Sequence, residues 1–348
     1  MELKQRINAF SALGSFFRAF SDGVDNNHFY KILDDIVKHD HINNPWFTED
    51  NIRKSISAIG ESLRTEKLEK WVNFYPRLKQ ETKAKTIGVI TAGNLPLVGF
   101  HDFISVIISG NIFLGKLSSK DNRLLSLIAD FLADYNPEFK NLIYFEENQL
   151  KNFDAIIATG SDNTSRYFEY YFGKYPNIIR KNRNSLAVLN GSESAKEIQL
   201  LADDIFSYFG LGCRNVSKLL VPKDYSFDHF FENIQHYHSI YNHNKYANNY
   251  DYNKSVYLMN QVQHLDNGFV ILKEDPGLSS PVAVIFFEYY DKIEQVKEYI
   301  RLNSDKIQCV VSNLNLTDNI IPFGKTQQPE LWDYADNVDT MEFLTGLN

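Results

Sequence analysis

Hydrophobic residues recur at helical spacing through the first 80 residues. One apolar stripe, with charged residues on the opposite face, is formed by Leu3, Ile7, Phe10, Leu13, Phe17 and Phe20. A further helix should begin at Thr48, because its side chain can cap the helix and Glu49 and Asp50 suit the positive end. The pattern therefore predicts a helical N-terminal segment over residues 1–80.

From Lys85 onward, short apolar runs alternate with amphipathic stretches. The runs read as strands and are KTIGVIT, NIFLGKL, LIYF, FDAIIATGS and NSLAVLN. The stretches between them, VGFHDFISVIISG and residues 121–135 and 163–172, predict helices. Such alternation with short connections predicts a mostly parallel, doubly wound sheet with helices on both faces. Ligands of such sheets bind at the carboxyl ends of the strands.

A second, smaller α/β unit should follow. A helix over residues 195–209 leads into a loop that contains Cys213. The strands VSKLLVP, PVAVIFFE and IQCVVSN then alternate with helices over residues 228–241 and 291–303. Residues 242–253 are polar and rich in Asn and Tyr, which predicts a surface loop.

Composition narrows the function classes. The 348 residues carry a formal net charge of −8, which argues against a general nucleic-acid binder because phosphate binding needs a basic field. There are two cysteines, Cys213 and Cys309, which favours a reducing compartment over a disulfide framework. Charges interrupt the N-terminal apolar stretch, and residues 95–115 contain His101 and Asp102. We therefore expect a cytoplasmic protein without membrane insertion.

Cys213 lies between small, turn-forming residues and the apolar run from Val216 to Val221. This position could present a nucleophile on a loop with a buried strand beneath it. A free cysteine is more often a small buried hydrophobe, and these residues alone leave both interpretations open. Cys309 lies inside an apolar run and is expected to be inert.

Three predicted strand ends carry residues suited to a nucleotide, although neither G-x-G-x-x-G nor the phosphate-binding G-x-x-x-x-G-K-[ST] motif occurs. Asn94 follows the first strand, where its amide can donate a hydrogen bond or form an ordinary Asx-turn. Lys116 ends another strand and can reach phosphate or ribose. Gly160 and Ser161 end a third and open a helix, where backbone N–H groups can meet an anion.

Metal binding is not expected. The histidines that could suggest it are His236, His238 and His243. The first two are two residues apart and should point to different sides of a helix, and no acidic residue or second cysteine is spaced to complete a site.

Several segments together resemble the LuxC-type acyl-CoA reductases, a branch of the aldehyde dehydrogenase superfamily. They are GVITAGNLPLVGFHDFISVIISGN, GKLSSKD, AIIATGS, FGLGCRNVSKLLVP and FGKTQQPELWDYADNVDT. The resemblance spans residues 87–340 and implies an aldehyde-dehydrogenase-like α/β fold. It further implies a dinucleotide-binding domain over 81–208 and a catalytic cysteine domain over 209–322. The C-terminal segment 323–348 is expected to return to the cofactor domain, and the helical residues 1–80 are expected to pack on that domain.

The resemblance also implies roles for individual residues. Cys213 corresponds to the nucleophile that forms an acyl-thioester, and Asn94 to the amide that stabilises the oxyanion. The implied cofactor-binding residues are Lys116, Ser118, Gly160, Ser161 and Glu274. Lys116 would bind the adenosine ribose or its 2′-phosphate. Gly160 and Ser161 would lie beside the pyrophosphate and the nicotinamide side of the cofactor, and Glu274 would bind the nicotinamide ribose.

Two positions depart from the superfamily pattern. Hydrolytic aldehyde dehydrogenases carry a glutamate that activates water, whereas residues 180–185 here read RKNRNS and contain no carboxylate. These basic residues could meet cofactor or coenzyme A phosphates, or form a solvated turn. Leu211 stands where many members have glutamine.

The resemblance thus implies NADPH-dependent reduction of an acyl-CoA to the aldehyde. NADPH is favoured because Lys116 with Ser118 and Ser119 could hold a 2′-phosphate, and NADH is the alternative. Two other functions stay open: an aldehyde dehydrogenase acting oxidatively, either CoA-acylating or hydrolytic, and a non-catalytic nucleotide-binding relative. Acyl-CoA is the expected substrate, and a homodimer is the possible assembly.

Overall fold

The computed structural model describes residues 1–25, 27–80, 83–160, 162–317 and 319–347. The chain forms two compact units. The first comprises Met1–Lys181 and Pro329–Asn348, and the second comprises Asn182–Gln328.

The N-terminal helices of the first unit follow the predicted pattern. They are α1 (Leu3–Ser21), α2 (Phe29–His39), α3 (Glu49–Ser62) and α4 (Thr65–Asn73). The apolar positions of the α1 stripe from Ile7 onward are buried, which stabilises the packing of this helix. The predicted start of α3 is confirmed, because the Thr48 side chain accepts the backbone N–H of Asn51 at 3.3 Å. Such a cap contributes about 1 kcal/mol.

The first unit contains a parallel sheet. Its strands are β1 (Thr86–Ile90), β2 (Ile112–Lys116), β3 (Ile143–Phe145), β4 (Ala155–Thr159) and β5 (Asn177–Arg180). The helices between them are α5 (Phe100–Ile108), α6 (Arg123–Tyr135) and α7 (Asp162–Phe172). In the described residues the strand order is β3-β2-β1-β4-β5, and all pairings are parallel. The order reverses between β1 and β4, so this sheet has a switch point of the kind at which open α/β sheets bind ligands.

The C-terminal residues from Pro329 complete the first unit. Helix α12 (Thr340–Thr345) packs on α5. The Tyr334 hydroxyl accepts a hydrogen bond from Trp71 Nε1 at 2.7 Å, and Lys67 forms an ion pair with Glu330 at 2.7 Å. These bonds fasten the end of the chain to α4.

The second unit contains a larger sheet. Its strands are β6 (Asn184–Val188), β7 (Val216–Pro222), β8 (Leu265–Asp266), β9 (Ile271–Glu274), β10 (Val284–Tyr290), β11 (Ile307–Val311) and β12 (Ile320–Ile321). Its helices are α8 (Ala195–Phe206), α9 (Asp228–Asn233), α10 (Asn244–Met259) and α11 (Ile293–Leu302). Across the described residues the order is β12-β11-β6-β7-β10-β9-β8, and the pairings are parallel apart from the antiparallel β8–β9.

Three sequence expectations differ from the structure. The segment 182–208 belongs to the second unit and not to the first, because β6 pairs with β7 and β11. Likewise, the chain rejoins the first unit at Pro329 rather than at residue 323. The predicted loop over 242–253 is wrong: this stretch lies largely in α10, which is capped by His243 and buries Tyr246 and Tyr250.

No helix within the described ranges has both the length and the apolar character needed to cross a bilayer.

Candidate functional site

Cys213 lies on the loop between α8 and β7 and is half-buried. The chain reaches it through Tyr208 and Phe209, whose φ angles of 54° and 60° fall in the left-handed region. Two bulky residues in this region cost about 1–3 kcal/mol each, so the surrounding structure must impose the loop conformation.

Asn215 is the first side chain that holds the Cys213 loop in this conformation. This side chain is only 2% exposed. Its Nδ2 donates to the carbonyl oxygens of Asp204 at 3.0 Å and Ser207 at 2.9 Å, and its Oδ1 accepts the Gly212 N–H at 2.8 Å. Asn215 therefore ties the end of α8 to the residue before Cys213. Since its partners precede it by up to 11 residues, the local sequence did not single it out.

A second bond holds the cysteine backbone itself. Ser185, which is fully buried in β6, donates from its hydroxyl to the Cys213 carbonyl oxygen at 2.9 Å. The other cysteine, Cys309, is buried within β11. The loop cysteine is thus the one whose backbone is fixed while its side chain stays partly accessible.

In the first unit, the carboxyl ends of β1, β2 and β4 lie side by side. Ile90 of β1 is in register with Lys116 of β2 and with Ala158 of β4. The Thr91 N–H donates to the Lys116 carbonyl oxygen at 3.2 Å, and the Ser118 N–H donates to Thr91 Oγ1 at 3.2 Å. The structure therefore brings Lys116 and Ser118 to the segment that leads to Asn94.

Gly93 allows this approach. A Cβ at this position would lie 2.3 Å from Ser118 Oγ, which is closer than atoms can pack. The two predicted binding segments, AGNLP and GKLSS, therefore touch through a glycine. The next residue, Asn94, is exposed.

Two buried side chains fix this loop on either side of Asn94. The Asp121 carboxylate accepts the Leu97 N–H at 2.8 Å, and Leu97 has a left-handed φ of 60°. The Asn44 amide donates to the Gly93 carbonyl oxygen at 3.2 Å. Burial raises the pKa of Asp121 to about 7 against the opposing effect of its backbone hydrogen bonds. Sequence reasoning missed both residues, although Asp121 ends the GKLSSKD segment.

Gly160 follows β4 and precedes α7. A Cβ there would lie 2.9 Å from Thr164 Cβ and 3.0 Å from Phe168 Cε2. Glycine is therefore what lets α7 begin against the strand. Ser161, the other member of the predicted pair, lies outside the described residues.

Glu274 lies in the second unit at the carboxyl end of β9 and is exposed. The turn that follows it is held by Lys218 of β7, which is 0% exposed. Lys218 Nζ donates to the carbonyl oxygens of Asp275 at 2.5 Å and Gly277 at 3.1 Å, and it pairs with Glu288 Oε2 at 2.5 Å. Burial lowers the pKa of Lys218, while Glu288 opposes this shift.

The predicted residues thus fall into two groups. Cys213 and Glu274 belong to the second unit, and Asn94, Lys116, Ser118 and Gly160 belong to the first.

The basic stretch over residues 180–185, which the resemblance aligns with the hydrolytic glutamate, has internal partners. Arg180 is buried, forms an ion pair with Asp102 of α5, and donates to Thr340 Oγ1 at 3.0 Å. Lys181 pairs with Glu169 at 2.9 Å. For Arg180, neither a phosphate contact nor a solvated turn describes the position, because its charge is neutralised inside the first unit.

Within the part of the chain that the structure describes, no three His, Cys, Asp or Glu side chains are grouped to hold a metal ion.

Comparison with known proteins shows which family this chain belongs to. The family model for the acyl-CoA reductase LuxC matches residues 44–229, which is more than half of the chain. The chain belongs to the LuxC acyl-CoA reductase family. No curated protein matches it.

Solved structures agree on the fold of this LuxC-family chain. It is similar to aldehyde dehydrogenase 21 from Physcomitrella patens in complex with succinate (TM-score 0.71, 12% identity, covering 100% of this chain and 84% of that one). It is also similar to the indole-3-acetaldehyde dehydrogenase AldA from P. syringae in complex with NAD+ and IAA (TM-score 0.61, 12% identity, covering 89% and 71%). A third similar structure is an E. coli NADP-dependent enzyme (TM-score 0.62, 10% identity, covering 90% and 73%).

The predicted membership of the LuxC acyl-CoA reductase family and the predicted aldehyde-dehydrogenase-like α/β fold are therefore confirmed. Family and fold together make this LuxC-family chain an oxidoreductase that acts on aldehyde or acyl-CoA groups with a nicotinamide nucleotide.

Proposed function

We propose that this LuxC-family chain reduces an acyl-CoA thioester to the aldehyde with NADPH, through an acyl-enzyme on Cys213. The observation that carries the proposal is the Cys213 loop. Its cysteine is half-buried, its carbonyl oxygen is held by Ser185, and its approach is fixed by Asn215. A thioester donor suits a soft nucleophile that is also a good leaving group, which a thiolate is.

In the proposed reaction, the Cys213 thiolate attacks the thioester carbonyl and forms a new S–C bond. The bond between the carbonyl carbon and the CoA sulfur breaks, and CoA leaves as a thiolate that takes a proton from solvent. When bound, NADPH supplies the hydride that reduces the acyl carbon. Cys213 then leaves as a thiolate when the hemithioacetal collapses, and the aldehyde is released.

Asn94 is proposed to donate its amide N–H to the oxyanion of each tetrahedral intermediate. Its loop is suited to this role because Asp121 and Asn44 hold the backbone on either side of it. A donor fixed in advance needs no reorganisation during the reaction, and loss of one such donor typically costs about 100- to 1,000-fold in rate.

We propose that the dinucleotide binds the first unit at the carboxyl ends of its strands. The support is the reversal of strand order between β1 and β4, next to which Lys116, Ser118 and Gly160 are placed. We propose that Lys116, with Ser118 and Ser119, holds the adenosine ribose and its 2′-phosphate. Gly160 and Ser161 are proposed to lie beside the pyrophosphate, and Glu274 is proposed to bind the nicotinamide ribose.

Reduction is preferred to hydrolysis because residues 180–185 offer no carboxylate to activate water. The charge of Arg180 is already neutralised by Asp102. An acyl-enzyme in this environment should survive until it is reduced.

The proposal is tested by supplying short-, medium- and long-chain acyl-CoAs with NADPH or NADH and measuring free CoA, oxidised cofactor, aldehyde and carboxylic acid. We expect equal amounts of CoA, oxidised NADPH and aldehyde. Carboxylic acid in place of aldehyde would show hydrolysis instead. Turnover only in the oxidative direction, from an aldehyde and CoA, would replace the proposed direction while keeping the same nucleophile.

A further inference from the structure

The segment Phe323–Thr326, FGKT, belongs to the C-terminal part of the family resemblance but has no role in the proposed reaction. In the second unit it is held by Asp204 of α8, a carboxylate that is 1% exposed. One carboxylate oxygen accepts the Gly324 N–H at 2.6 Å, and the other accepts the Thr326 N–H at 3.0 Å and the Thr326 hydroxyl at 2.8 Å. Asp204 therefore sets the backbone of this segment.

The same segment is bonded to the residue that follows the cysteine. Arg214 Nε donates to the Thr326 carbonyl oxygen at 2.7 Å, and Thr326 is fully buried. Thr326 thus connects the Asp204 carboxylate on one side to the Arg214 guanidinium on the other.

Three successive residues are consequently anchored to three different elements. The Cys213 carbonyl oxygen is bonded to Ser185 of β6, Arg214 to Thr326, and Asn215 to the α8 carbonyl oxygens. The last two anchors meet at one residue, because the carbonyl oxygen of Asp204 accepts from Asn215 and its carboxylate holds Thr326.

We propose that Asp204 is a positioning residue for Cys213, acting through Asn215 and through Thr326 and Arg214. The inference rests on the proposed function only in treating Cys213 as the nucleophile. It gives the FGKT segment a role in holding the cysteine loop.

A carboxylate is the group that this position needs. Two N–H groups and one O–H converge on Asp204, and a carboxylate only accepts hydrogen bonds. An asparagine would place an NH₂ against at least one of these donors. Burial raises the pKa of Asp204, and the three hydrogen bonds oppose that shift.

Asp203 provides a matched control. It lies beside Asp204 on α8, but its carboxylate accepts the Tyr237 hydroxyl at 2.5 Å. Asp203→Asn therefore makes the same chemical change one residue away, without touching the anchors of the cysteine loop.

The experiment compares the wild type with Asp204→Asn, Thr326→Val, Thr326→Ser and Asp203→Asn. One measurement is the rate of Cys213 alkylation by iodoacetamide, with the alkylated peptide identified by mass spectrometry. The other is hydrogen exchange of the peptide 209–216. For Asp204→Asn and Thr326→Val we expect altered alkylation rates and faster exchange. Because a displacement of about 1 Å can cost about 100-fold, kcat should fall by about that factor with the KM for NADPH unchanged. Thr326→Ser and Asp203→Asn should behave like the wild type.

Unchanged alkylation and exchange in both Asp204→Asn and Thr326→Val would overturn the proposal. If Asp204→Asn does not fold, the comparison of Thr326→Val with Thr326→Ser decides alone. Thr326→Val loses the hydroxyl that bonds to Asp204, whereas Thr326→Ser keeps it. Alkylation and exchange need no acyl-CoA turnover, so a failure of this inference is distinct from a failure of the proposed reaction.

Discussion

The carboxylate of Asp121 accepts the backbone N–H of Leu97 at 2.8 Å, and this bond joins the segment before α6 to the loop that carries Asn94. It places an acid with a pKa of about 7 inside the protein, where Asp40 adds a further raising effect. The geometry of the Asn94 loop is therefore linked to a group that titrates near neutrality.

Asp121→Asn should remove a pH dependence of stability. Because burial raises the pKa of Asp121 in the folded protein above that of the unfolded chain, the folded state binds more protons between pH 4 and pH 7. Its contribution is present at pH 4 and is lost as the pH rises through about 7.

The free energy of unfolding, measured in urea from pH 4 to pH 8, should thus fall more steeply for the wild type than for Asp121→Asn. The difference between the two proteins should change by at most about 4 kcal/mol over this range. Parallel curves for the two proteins would show that Asp121 does not titrate in this way.

Lys218→Met should destabilise the protein strongly. The change leaves Glu288 without its cation and the Asp275 and Gly277 carbonyl oxygens without their donor. Breaking a buried pair by removing one partner costs about 3–5 kcal/mol, and the lower end applies here because Glu288 is 34% exposed.

The control is Lys223→Met, whose ammonium lies 3.6 Å from Asp291 with both side chains exposed. Exposed pairs of this kind contribute little, so urea unfolding of the control should match the wild type. Equal losses in the two variants would contradict the role given to Lys218.

Arg180 and Asp102 should behave as a coupled pair. Both are buried, so Arg180→Met leaves an uncompensated carboxylate and should cost about 3–5 kcal/mol of unfolding free energy. Adding Asp102→Asn should recover a large part of this loss, because the remaining charge is then removed. Additive losses in the double variant would show that the ion pair is not the source of the cost.

The local sequence predicted the elements whose signals lie within a few residues. The start of α3 is predicted from Thr48, Glu49 and Asp50, and the structure confirms the Thr48 cap. The helix α10 was missed because Asn and Tyr dominate it and no apolar stripe marks it, although Tyr246 and Tyr250 are buried. Strand β6 was recognised as a strand, but its apolar pattern cannot tell which sheet it joins.

The residues of the candidate site likewise differ in whether nearby sequence reveals them. Cys213, Asn94 and Lys116 follow apolar strand or helix signals, and a family resemblance supplied their roles. Asn215 and Asp204 were missed because their importance depends on partners that fold next to them. Asp204, for example, bonds to Thr326, which lies 122 residues further along the chain.

The most direct test of the proposed function is the mass of the intact protein after mixing with an acyl-CoA in the absence of NADPH. We predict a gain of one acyl group in the wild type and in Cys309→Ala, none in Cys213→Ala, and loss of the group when NADPH is added. No adduct with any short- or long-chain acyl-CoA, or an adduct that persists in Cys213→Ala, would contradict the acyl-enzyme on Cys213.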